Sequence, residues 1–239
     1  MRKDLFLIVL MVISLTAYNQ GIEDVIVEKY YTVTSSDTVS GLPEGSVTYR
    51  IYIDIAEGYR LQTIFGVPGH PLRIQTTTTF YNHQWGASTG DQINSNMLNE
   101  GNYCLDSWMT INAASKLHLG VLLKEDNNGS VLIKDSLLKV DGLLPGKAPD
   151  LFKYELNLDV FDQGGSLFET ENSILAVLGG VAGPTTENKI LIAQLTTDGE
   201  LSFELNIQLG VNETGNFEQY VAKDAINNEI MFNKLNYNN

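Results

Sequence analysis

Val47-Thr48-Tyr49-Arg50-Ile51-Tyr52-Ile53-Asp54-Ile55 repeats with a period of two. Successive side chains of a β-strand point to opposite faces, so Val47, Tyr49, Ile51, Ile53 and Ile55 share one apolar face. Thr48, Arg50 and Asp54 mark the other face as polar, the pattern of a half-buried strand. Leu201, Phe203, Leu205, Ile207 and Leu209 repeat it against Ser202, Glu204, Asn206 and Gln208. Just ahead runs Ile190-Leu191-Ile192-Ala193-Gln194-Leu195, with Thr197-Asp198-Gly199-Glu200 between the two. An Asp-Gly pair between β-runs predicts a tight hairpin, because its central residues favour positive φ.

Working outward, further strands are predicted at 24–33, 59–65, 72–80, 105–112, 117–124, 130–134, 152–160 and 217–222. Turn chemistry such as Pro68-Gly69, Gly164-Gly165 and Gly183-Pro184 separates them. Short helical turns are expected within 91–99 and 172–178. Many short strands with such punctuation predict an all-β protein, an antiparallel β-sandwich of jelly-roll type. Residues 21–235 form one domain on this reading, and the polar residues 236–239 fray.

The N-terminus reads as an export signal over residues 1–20. Arg2 and Lys3 precede the apolar stretch Leu5 to Leu15, which is shorter than the roughly 20 residues a membrane span needs. Cleavage is expected between residues 17 and 20. The expected location is therefore secreted, extracellular or periplasmic, with no membrane insertion once the signal is removed. The chain holds 15 Lys and Arg against 29 Asp and Glu, a net charge of −14. Such a surface repels phosphate backbones, so nucleic acid is excluded as a partner. A lone cysteine, Cys104, allows no intrachain disulfide, and its ordinary role is that of a small buried hydrophobe.

Motifs for nucleophilic, metal-hydrolytic or nucleotide chemistry are missing from the sequence. His70, His83 and His118 stand apart from one another, His70 in a turn and His118 among strand residues. Glu155, Asp159, Glu169 and Glu171 are the carboxylates to inspect for a hydrolase pair, which would need about 5 Å or about 6.5–9.5 Å between them. Glu125-Asp126-Asn127-Asn128-Gly129 gathers oxygen ligands into one turn, as calcium loops do, with Asp126 and Asn128 as the ligands. The run lacks the spaced acids and terminal Glu of an EF-hand, and Asp and Asn favour turns through their own backbone hydrogen bonds, so a metal-free turn is the preferred reading. No other cofactor is implied.

Phe80-Tyr81-Asn82-His83-Gln84-Trp85-Gly86 interleaves aromatic faces with amide and imidazole groups. Sugar rings present apolar C–H faces and polar edges, so Tyr81, Asn82, His83, Gln84 and Trp85 form a candidate carbohydrate site. The competing reading folds Phe80 and Trp85 inward to cap the core.

Several stretches together resemble a group of secreted proteins from Bacteroidota bacteria. They are Ser46-Val47-Thr48-Tyr49-Arg50-Ile51-Tyr52, Tyr59-Arg60-Leu61-Gln62, Thr76-Thr77-Thr78-Thr79-Phe80-Tyr81-Asn82 and Asp106-Ser107-Trp108-Met109-Thr110. Val140-Asp141-Gly142-Leu143-Leu144, Ile190 to Gly199 and Phe203-Glu204-Leu205-Asn206-Ile207-Gln208 complete the set. The resemblance implies an extracellular β-rich module, often followed by a type IX secretion sorting domain, and it implies no activity or functional residue. No sandwich-sized sorting domain is expected after Tyr220-Val221 here. The leading expectation is an exported non-catalytic module for adhesion, matrix assembly or surface display, with polysaccharide or extracellular protein as partner. A carbohydrate-binding module built on the Trp85 loop is the alternative, and a secreted carboxylate-dependent hydrolase the third.

Overall fold

The structure is a computed structural model that describes residues 20–37, 42–97, 100–111, 118–120, 122–125, 143–145, 150–212 and 214–239. Strands are numbered along the chain. In the first sheet β1 (Ile22–Thr32), β2 (Val47–Ile55), β11 (Lys189–Thr197) and β5 (Trp108–Met109) lie side by side in that order, all antiparallel. The second runs β15 (Ile230–Met231), β14 (Phe217–Val221), β13 (Ile207–Val211), β3 (Tyr59–Gly66), β10 (Ser173–Val181) and β8 (Leu151–Tyr154), with β14 and β15 parallel. A third orders β16 (Asn236–Asn238), β12 (Leu201–Glu204), β4 (Leu72–Thr76) and β9 (Leu167–Thr170). β6 (His118–Gly120) and β7 (Leu143–Pro145) form a separate ribbon.

The protein is all-β, and its sheets enclose one main core. Ile51 and Ile53 of β2 and Ile190 and Ile192 of β11 meet Leu61 and Ile64 of β3, Leu175 of β10, Ile74 of β4 and Phe203 of β12. Burying each such side chain contributes about 1.5–3 kcal/mol, the main force holding the sheets face to face. The odd positions of β2 face this core as the alternation predicts.

The other face of β2 departs from expectation. Thr48, Arg50 and Tyr52 are buried as completely as their neighbours. Tyr52 and Leu191 join a second cluster with Tyr30, Tyr103, Cys104, Leu105 and Trp108. The strand is therefore covered on both sides, because residues between Phe80 and Ile111 fold back over the outer face of the first sheet. Arg50 Nε donates to Gln194 Oε1 at 3.0 Å, and the Arg50 guanidinium lies 3.7 Å from the Tyr30 ring centre. Gln194 Nε2 donates in turn to the carbonyls of Cys104 and Asp106, at 2.9 and 2.8 Å. A polar sheet face thereby becomes the seat of a folded loop.

The hairpin expected at Asp198-Gly199 is absent. β11 pairs with β2 and β5, whereas β12 pairs with β4 and β16, so the turn carries the chain from one sheet to another. Neither Asp198 nor Gly199 adopts positive φ. Gly199 is needed for space instead: a Cβ there would stand 2.6–2.7 Å from the hydroxyls of Thr76, Thr77 and Thr78.

Five other boundaries are corrected. Residues 172–178, expected as a helical turn, lie largely in β10, where pairing with β3 and β8 overrides the helix preference of Leu and Ala. Among the described residues, the strands expected over 72–80, 105–112 and 152–160 shrink to β4, β5 and β8, and 117–124 yields β6 ahead of a 3-10 turn at Leu123–Glu125. Within 91–99 the helical turns are short 3-10 pieces, Gly90–Gln92 and Ser95–Met97. The region 130–134 lies outside the described residues.

Residues 236–239 do not fray. β16 pairs with β12, Leu235 is buried, and Tyr237 stacks on Phe203 with ring centres 5.0 Å apart. Apolar contacts hold this terminus although its composition is polar. Removing residues 236–239 should cost about 1–3 kcal/mol, read as a fall in melting temperature. An unchanged melt would mean that β16 contributes nothing to the fold.

Candidate functional site

Phe80 roots the candidate loop. Its N–H donates to the Gly165 carbonyl at 2.8 Å, and its buried ring meets Phe161 edge-on at 5.3 Å. Here the inward reading holds. Tyr81 follows with its N–H on the Thr196 carbonyl at 2.7 Å, and burial pushes the pKa of its phenol up. Asn82 donates from Nδ2 to the Val160 carbonyl at 3.0 Å.

Asp106 then fixes the turn. Its side chain is fully buried, and its two oxygens accept the N–H groups of His83 and Ala87 at 2.7 and 2.9 Å. A third backbone N–H, that of Ser107, also bonds to this carboxyl. Gly86 makes the approach possible, since a Cβ there would stand 2.0 Å from Asp106 Oδ2. His83 closes the turn by accepting the Gly86 N–H on its carbonyl at 2.7 Å and the Trp85 N–H on Nδ1 at 3.2 Å. Because Nδ1 accepts, the neutral ring carries its proton on Nε2. Burial lowers the pKa of His83, in keeping with that neutral form. The imidazole rests edge-on against Tyr103 at 5.3 Å and beside the Trp85 indole at 5.6 Å.

Trp85 itself points out. It is 62% exposed, and Gln84 beside it is exposed too. The five residues read from the sequence thus form one turn with a split character. Tyr81, Asn82 and His83 are partly buried anchors, while Gln84 and Trp85 are displayed. From Tyr81 and Asn82 a groove of about 790 Å³ extends past Pro43 to Asp162, Gln163 and Asp198.

No protein-family model, curated protein or solved structure matches this chain. Its chemistry is read from its own residues. An indole face in water beside amide groups suits a ring with an apolar face and polar edges, and a groove of this size suits a small ligand or one or two units of a polymer.

The remaining candidates fare differently. Asp126 and Asn128, the calcium ligands of the sequence reading, lie outside the described residues. Glu125, which opens that run, places its carboxylate 2.5 Å from the Lys189 ammonium. Among the described residues no group of three or more His, Cys, Asp or Glu side chains is arranged to hold a metal ion. Glu155, Asp159, Glu169 and Glu171 are all exposed, and Glu169 pairs with Arg73 at 3.2 Å. Cys104 is buried, as expected. His70 is more than a turn residue: it is buried and pairs through Nε2 with Glu229 at 3.0 Å. Among the described residues no helix is long and apolar enough to cross a membrane.

Asp106, Asp162 and Asp198 are the site residues that sequence reasoning missed. Asp106 sat inside a predicted strand and Asp198 inside a predicted hairpin. A small clue to the first was Gly86, a glycine directly after an aromatic and polar run with no turn partner of its own.

Proposed function

We propose that the protein is an exported, non-catalytic module that binds carbohydrate through the Trp85 turn, in the service of adhesion, matrix assembly or surface display. The observation that carries this reading is Trp85: an indole left mostly in water on a turn held by a buried carboxylate. Single exposed apolar residues are ordinary on any protein. A rigidly mounted one is less so, because a platform fixed before binding avoids the entropy cost of ordering it afterwards. The export reading is supported by the charged and apolar pattern of residues 2–15. The non-catalytic reading is supported by the exposure of all four candidate carboxylates.

The test is retention on insoluble polysaccharides. Trp85→Ala should weaken retention about tenfold or more, as loss of a central aromatic anchor does. Its melting temperature should stay within a few degrees of the parent's, because the indole contributes little burial. Unchanged retention, or turnover of a polymer by the parent protein, would sink the proposal.

A further inference from the structure

The outer face of the second sheet carries a groove remote in sequence from the Trp85 turn. Ile64, Leu175 and Ile207 point into the main core, so the residues alternating with them on β3, β10 and β13 face outward. Strand register sets Phe152, Ala176, Thr63, Gln208 and Gln219 in one outward row across β8, β10, β3, β13 and β14. Ala176 and Thr63 are the small members of that row and form a floor between two taller walls. The groove holds about 570 Å³, the size of a small-ligand site. One wall is apolar, built from Phe152, 60% exposed, and Leu178, 99% exposed. A bulge displays Leu178: the register of β10 against β3 shifts between Ala176 and Val181, and Gly179 and Gly180 turn with φ of +79° and +70°.

The other wall is made of amides, and they are oriented before any ligand arrives. Gln219 Nε2 donates to Gln208 Oε1 at 3.4 Å, and Gln208 Nε2 donates to Gln62 Oε1 at 3.1 Å. Two glycines leave the space in which the Gln62 side chain lies. A Cβ on Gly210 would collide with its Nε2, and one on Gly180 would stand 2.9 Å from its Cγ. Gln62 Nε2 has no partner among the described residues, so this mounted amide keeps a donor to offer.

We propose that this groove is a second binding site, for one or two units of an uncharged glycan. Its walls match the two sides of a sugar ring: the C–H face rests on Phe152 and Leu178, and hydroxyls meet the amides of Gln62 and Gln208. Charge favours a neutral occupant. Asp150 is the one charged residue among the described walls, so no cation is present there to hold an acidic ligand. A second copy of the chain would bring its own net charge of −14, and a uronate its carboxylates, whereas a neutral sugar meets no repulsion. The site stands without the Trp85 reading, because it is built on the second sheet from other residues. Open and with few polar groups, it adds to retention on a polymer only alongside the Trp85 turn.

Soluble oligosaccharides of glucose, mannose, N-acetylglucosamine and galacturonate, the last as charged control, are titrated by calorimetry into the parent and into Trp85→Ala. Trp85→Ala should still bind a neutral oligosaccharide saturably, and galacturonate more weakly. Adding Gln62→Met or Leu178→Ser to it should weaken the neutral binding about 3- to 10-fold, the worth of one hydrogen bond or one apolar contact. Leu178 has almost no burial, so Leu178→Ser should melt with the parent and its loss of binding is not unfolding. Binding by Trp85→Ala that ignores both groove substitutions, or that takes galacturonate equally well, would overturn the inference. Loss of all binding in Trp85→Ala would overturn it too, while leaving the carbohydrate reading of the turn intact. No binding of any oligosaccharide by the parent would remove both. A parent that sediments as a dimer, is split by Leu178→Ser and binds no sugar at the groove would assign the face to a second copy, and so overturn the inference.

Discussion

Asp106→Ala should lower the melting temperature by about 5–12 °C and abolish glycan retention at temperatures where the variant is still folded. The size follows from what the carboxyl holds. Its oxygens accept backbone N–H groups from His83, Ala87 and Ser107, and the residue has no exposure to water. Leaving a buried N–H without a partner costs about 1–3 kcal/mol, and removing the buried carboxyl recovers part of the loss. A net of about 2–3 kcal/mol corresponds to that shift at this chain length. Asp106→Asn is the sharper variant, because it keeps the shape but turns an NH₂ group toward a backbone N–H that needs an acceptor. Differential scanning calorimetry and indole fluorescence read the two effects separately. If either variant melts with the parent and keeps its ligand, the carboxyl does not mount the Trp85 turn.

The same carboxyl sets a pH dependence. Burial raises the pKa of Asp106 to about 7, against three N–H bonds that pull it down. An acid whose pKa is higher folded than unfolded holds its proton more firmly in the fold. Its contribution to stability is therefore complete below about pH 4 and is lost as pH rises to about 7, with no further change above. Asp54 and Asp162 are raised as well, so the informative quantity is a difference. Between about pH 4 and about pH 7 the melting temperature of the parent should fall more steeply than that of Asp106→Asn, which cannot titrate there. Parallel curves would assign the slope to other groups.

Period-two alternation made the strands legible, because one strand's own residues are enough to display it. Val47 to Ile55 and Leu201 to Leu209 declared their inward faces, and those faces are buried. Alternation does not say what covers the other face. Arg50 and Gln194 look like solvent residues in sequence, yet they lie under the Tyr103 to Trp108 segment and bond to each other. Tertiary cover of this kind has no local signal, and neither has strand order, so a jelly-roll connectivity had no residue to carry it. The Trp85 turn was visible as a composition of aromatic and polar groups. Its mount was not, since Asp106 is 20 residues beyond Gly86 and meets it only in the folded chain. Polarity misled at the C-terminus, where Leu235 and Tyr237 outweigh the asparagines around them.

Gly199→Asn separates two explanations of one dipeptide. Were Asp198-Gly199 a tight hairpin with positive φ, asparagine would be the best tolerated replacement and would cost well under about 1 kcal/mol. In the observed crossing the glycine has ordinary φ and no room. A Cβ would stand 2.6, 2.7 and 2.7 Å from the hydroxyls of Thr78, Thr76 and Thr77. These hydroxyls cannot simply withdraw. Thr76 and Thr78 bond to the Thr197 hydroxyl at 2.7 and 3.0 Å, and Thr77 accepts the Glu200 N–H at 2.9 Å. Forcing a Cβ against these hydroxyls costs about 1–3 kcal/mol, and breaking the threonine bonds adds to it. The variant should therefore melt about 6–12 °C below the parent, with Gly199→Ala nearly as low. A melt within about 2 °C of the parent would mean that the turn relaxes around a side chain, and that close approach is not the reason for glycine. A low melt for alanine and asparagine alike would fix the reason as space, since backbone conformation alone would spare the asparagine.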